Sequence, residues 1–66
     1  MSDLLDPEQR AIADRLLARL STFASSVGLY EGIARSIIEK SVAEMPNSDD
    51  EQILDAARMK MMFVSN

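Results

Sequence analysis

Ala13, Leu16, Leu20, Phe23 and Val27 follow one another at spacings of three, four, three and four. That is the apolar period that lays all five along one stripe of an α-helix and favours packing against another helix. The chain that must satisfy this stripe has 66 residues, room for a single domain spanning 1–66. A domain of that size buries only about 60% of the surface its unfolded form exposes, a thin margin over conformational entropy. Small domains widen the margin with disulfides, a structural metal or association. The absence of Cys removes the first, and the absence of both Cys and His removes the usual zinc site. Association with a second copy or another protein is therefore expected.

Two Gly, two Pro and three aromatic residues (Phe23, Tyr30, Phe63) are too few for the many turns of an all-β domain. Hydrophobic residues at 47% and charged residues at 27% describe a chain that folds rather than a disordered tail. An all-α fold of three short helices follows, at about 7–27, 29–45 and 49–63, forming a helical bundle completed by dimerisation. Residues 1–5 read as a flexible N-terminus and 64–66 as a frayed C-terminus.

Asp6-Pro7-Glu8-Gln9 has the form of a helix start: a capping carboxylate, Pro at the first helical position, and Gln9 at capping-box spacing. Leu5 precedes the cap, where a hydrophobic staple sits. Helix 1 then turns Ile12, Ala13, Leu16, Leu17, Leu20, Phe23, Ala24 and Val27 inward and leaves Arg10, Asp14, Arg15 and Arg19 to water. Gly28 admits two readings. As a left-handed C-cap it ends helix 1; if the helix runs through, Ala24, Gly28, Gly32 and Ser36 form a ladder of small residues. Two Gly within five residues cost about 1 kcal/mol each inside a helix, so a break near Gly28 is favoured.

Helix 2 turns Tyr30, Ile33, Ala34, Ile37, Ile38, Val42 and Met45 inward, with Glu31–Arg35 and Lys40–Glu44 as i,i+4 pairs outside. Met45-Pro46 ends it. Ser48 and Glu51 have capping-box spacing, which starts helix 3 at Asp49. Helix 3 carries Ile53, Leu54, Ala57, Met61 and Val64 inward, with Asp55, Arg58 and Lys60 outside. The basic residues Arg58 and Lys60 come late, where the helix dipole favours them.

The residues that usually carry chemistry are missing. Eight Ser have no His to activate them, and a three-helix domain this small has little means to shield a Ser-Lys pair built on Lys40 or Lys60. Asp49, Asp50, Glu51 and Asp55 are the densest acidic cluster, but the alternating acids followed by Gly of a calcium loop are absent, and capping explains them. No catalytic residue, metal or cofactor is expected. A net charge of −4 repels phosphate backbones and anionic lipid. A helix-turn-helix built on residues 46–48 would present three consecutive acids to DNA. The opening Met1-Ser2-Asp3-Leu4-Leu5-Asp6 lacks the basic start and apolar run of a secretory signal, and no run of ~18 apolar residues suggests a membrane span. A cytoplasmic protein is the expectation.

What remains is binding through apolar helical surface. Met59, Met61, Met62, Phe63 and Val64 cannot all face one side of a helix, because Met59 and Phe63 fall away from Met61. The expected interface comprises Leu16, Leu20, Phe23 and Val27 on helix 1, Ile33 and Ile37 on helix 2, and Met59, Met61, Met62 and Phe63 on helix 3. Of these, Leu16, Leu20 and Ile37 also suit the chain's own core. The expected function is that of a non-catalytic protein–protein interaction module, an adaptor, inhibitor or regulator acting as a homodimer. The alternative is a DNA-associated regulator using Arg10, Arg15 and Arg19 as a local basic stripe. Salt titration of DNA binding separates the two.

Overall fold

The structure, a computed structural model, describes residues 6–65. Over that span the chain is all-α: α1 runs Pro7–Ser26, α2 Glu31–Glu44 and α3 Asp50–Ser65. The expected staple of Leu5, the flexible start at 1–5 and the fraying of residue 66 lie outside the described residues.

The start of α1 is as the sequence indicates. The Gln9 backbone N–H donates to Asp6 Oδ1 at 2.8 Å, and the Asp6 N–H donates to Gln9 Oε1 at 3.3 Å. Two N–H groups without helical partners are thereby satisfied reciprocally, with Pro7 as the first helical residue. The helix ends in a Schellman motif. Gly28 adopts φ 80°, its N–H donates to Ser25 O at 3.1 Å, and the Leu29 N–H donates to Ala24 O at 2.9 Å. Gly28 therefore breaks the helix, and the ladder of small residues through Gly32 and Ser36 does not form.

α2 begins at Glu31, one or two residues later than expected. Tyr30 is its N-cap and offers no capping side-chain bond. Pulled out of the helix, Tyr30 lies in water rather than on the inner face. The start of α3 also differs. Asp49 is the cap, accepting the Gln52 N–H at 2.9 Å, while the Ser48 N–H donates to Met45 O in the preceding turn. The Ser48–Glu51 box gives way to Asp49 with its partner N–H at Gln52, one residue on. α3 continues through Ser65, so Val64 and Ser65 are helical, and Arg58 and Lys60 sit in mid-helix with no base in the last turn.

The core joins one face of each helix: Ala13, Leu16, Leu17, Leu20 and Ala24 from α1, Ala34, Ile38 and Val42 from α2, and Ile53, Leu54, Ala57 and Met61 from α3. Ile12, Phe23, Leu29, Ile37 and Met45 pack against its edge. α2 folds back along α1, so that Arg35 reaches Asp14 at 2.8 Å. α3 lies across this pair. Its first turn is tied to the middle of α1 by Arg15–Asp50 and Arg19–Glu51, both at 2.9 Å, and its second half to the end of α2 by Lys60–Glu44 at 2.6 Å. The radius of gyration is 11.0 Å, close to the ~10.8 Å of a compact domain of this length. One copy thus buries Ala13, Leu16 and Leu20 of the α1 stripe in its own core and leaves Phe23 and Val27 half-buried. No described helix is long and apolar enough to cross a membrane.

Candidate interaction surface

The sequence groups ten apolar residues as one interface; the structure sorts them into three sets. Leu16, Leu20 and Met61 are core, with at most 3% of their surface in water. They hold the chain's own helices together and present nothing to a partner. Phe23, Val27 and Ile37 are partly buried, Phe23 and Ile37 along the core's edge and Val27 as the C-cap of α1. Ile33, Met59, Met62 and Phe63 are exposed.

The exposed set is itself divided. Ile33 (42% exposed) and Tyr30 (80%) lie at the start of α2. Met59 (68%), Met62 (53%) and Phe63 (81%) belong to the second half of α3, which Lys60 anchors to Glu44 at the opposite end of α2. From Ile33 to Glu44 the helix rises by about 16 Å, so the two groups do not merge.

The α3 group has a clear cause. Met59, Met62 and Phe63 stand at i, i+3 and i+4, one face of the helix, while Ile53, Ala57 and Met61 stand on the other. Val64 continues the inner register, yet 55% of its surface is in water. α3 therefore outruns the helices that cover it, and its last turn shows apolar side chains on both faces. The expectation that Val64 turns inward fails for this reason. Periodicity shows which way Val64 faces but not where the other two helices stop.

The charged groups around this surface are already engaged. Arg58 pairs with Asp55 at 3.0 Å and Lys60 with Glu44. The Lys60 hydrogen bond, reinforced by its charge, holds the Glu44 carboxyl below its ordinary value of 4.5. Across the molecule, the hydrogen bond and charge of Asp14 raise the Arg35 guanidinium, with Glu39 adding a smaller contribution. The expected Glu31–Arg35 pair gives way to Arg35–Asp14 and Arg35–Glu39, while Glu44 takes its salt bridge from Lys60 and keeps a smaller charge contribution from Lys40. A neighbouring helix offers opposite charge that a helix read alone does not reveal.

On the basic stripe of α1, Arg15 and Arg19 spend their charge on Asp50 and Glu51. The acids at the start of α3 thus cap the helix through Asp49 and bind α1 through its two neighbours. Sequence reasoning passed over Ser41, which is fully buried and donates to Ile37 O at 3.0 Å. Its position among Ala34, Ile38 and Val42 on the inner face was the available signal. A shallow groove of about 250 Å³ between the end of α1 and the start of α2 is lined in part by Leu17, Ala24, Leu29 and Ala34.

No family model, curated protein or solved structure matches the chain.

Proposed function

We propose that this chain is a non-catalytic helical protein–protein interaction module, an adaptor, inhibitor or regulator, that pairs with a second copy through the end of α3. The observation that carries this reading is the exposed apolar stripe of Met59, Met62 and Phe63 on the outer face of α3, joined in the last turn by Val64, which is exposed on the inner register where α3 extends past its own core. A stripe at i, i+3 and i+4 can meet its own image across a two-fold axis, the commonest arrangement for soluble oligomers. Charge does not oppose the approach. Beyond Asp55 the only charged side chains of α3 in the described residues are Arg58 and Lys60, each paired within its own chain.

Covering such a side chain completely contributes about 1.5–3 kcal/mol, whereas association costs about 4–15 kcal/mol. Three exposed side chains from each copy, Met59, Met62 and Phe63, therefore support a weak dimer that dissociates on dilution.

Light scattering after size exclusion, run over a dilution series, tests the proposal. The wild-type protein shifts from dimer to monomer mass as it is diluted. A Met59→Ser, Phe63→Ser double variant stays monomeric with its helicity intact, and Ile33→Ser, at the other end of α2, behaves as wild type. A wild-type protein that is monomeric at every concentration overturns the reading.

A further inference from the structure

The sequence places three methionines within four residues, and the helix separates them. Met59 and Met62 lie on the outer face with 68% and 53% of their surface in water, while Met61 has none. We infer that Met59 and Met62 form an oxidation-sensitive site, modified by peroxide-class oxidants while Met61 is spared, and that their oxidation turns the end of α3 from an apolar surface into a polar one.

A thioether sulfur attacks a peroxide oxygen directly. A sulfur–oxygen bond forms as the oxygen–oxygen bond breaks, the sulfur is oxidised by two electrons to the sulfoxide, and hydrogen peroxide is reduced to water. The reaction needs solvent access to sulfur, which the outer face of α3 gives to Met59 and Met62 and the core denies to Met61. The product replaces a flexible apolar side chain with a polar, chiral one. In the core that change would disrupt packing; on the outer face it leaves α3 folded. Both modified positions flank Phe63, the most exposed of the apolar side chains at this end. The oxidised groups therefore fall within the surface itself.

The selectivity rests on burial alone, and its consequence for pairing rests on the function proposed above. Those two parts fail separately. The 66-residue chain is treated with dilute hydrogen peroxide and sampled over time for peptide mass mapping, far-UV circular dichroism and light scattering. At high dilution, Met59 and Met62 each gain one oxygen while Met61 gains none and helicity is retained. Oxidation of Met61 at the same rate as its neighbours overturns the site. At concentrations where copies pair, oxidation of Met59 and Met62 slows, and the oxidised protein runs at monomer mass. A Met59→Leu, Met62→Leu variant, apolar but not oxidisable at those positions, keeps its dimer through the treatment. A wild-type dimer that keeps its mass after both residues are oxidised overturns the switch. Oxidation rates independent of protein concentration defeat the pairing reading and leave the selectivity standing.

Discussion

Gly28 and Gly32 are four residues apart and do opposite things. A Cβ at either position would meet nothing within 4 Å, so only the backbone separates them. Gly28 holds φ 80° at the corner, whereas Gly32 lies in the first turn of α2. Gly28→Ala is expected to destabilise the fold by about 1–2 kcal/mol, the cost of the left-handed conformation for a residue with a Cβ. Gly32→Ala is expected to stabilise it by about 0.5 kcal/mol through the unfolded chain. Urea melts of the two variants should therefore move in opposite directions. The break at Gly28 was readable because two Gly so close together are costly inside a helix. The pairing of Glu44 was not, because Lys60 arrives from another helix. Since Lys60 lowers the Glu44 pKa, the bridge contributes in full above the ordinary value near 4.5 and is lost as pH falls through the folded pKa. The difference in melting temperature between wild type and Glu44→Gln should accordingly shrink as pH drops below about 4.5.

Each helix depends on how its ends are closed. α1 has a reciprocal capping box at one end and a Schellman motif at the other, and both follow from residue types that do little else. α3 shows where such reading slips. Asn47-Ser48-Asp49-Asp50 contains several side chains able to cap, and because Ser48–Glu51 and Asp49–Gln52 share the same spacing, spacing alone does not decide between them. Asp49 takes the role because the chain leaves the Met45–Ser48 turn one residue later. Asp49→Ala should cost about 0.5–2 kcal/mol and Ser48→Ala less than about 0.5 kcal/mol, as measured by chemical denaturation. The reverse order would restore Ser48 as the cap. At the other end of α3, the helix runs to Ser65, two residues past the expected end near 63, and Val64 in that last stretch is exposed.

At the scale of the molecule, the sequence made the number of helices and most of their inner faces legible. The inward set on α1 is found buried or half-buried without exception. Periodicity fixes which side of a helix is apolar, but it carries no information on how three such sides are arranged. That is why Leu16, Leu20 and Met61, expected at an interface, belong to the chain's own core, and why Ile33, at the start of α2, is separated from Phe63, on the half of α3 that Lys60 ties to the end of α2. If pairing covers the end of α3, the melting temperature should rise with protein concentration, and the Met59→Ser, Phe63→Ser variant should lose that dependence.

The way α3 is laid over the other two helices has a kinetic consequence. α1 and α2 share the broadest contact, while α3 meets α1 over the least, and the links at its first turn are solvent-exposed ion pairs that salt screens. Amide protons of α3 should accordingly exchange with deuterated solvent ahead of those in the middle of α1, released together as the helix lifts away on the Met45–Asp49 segment.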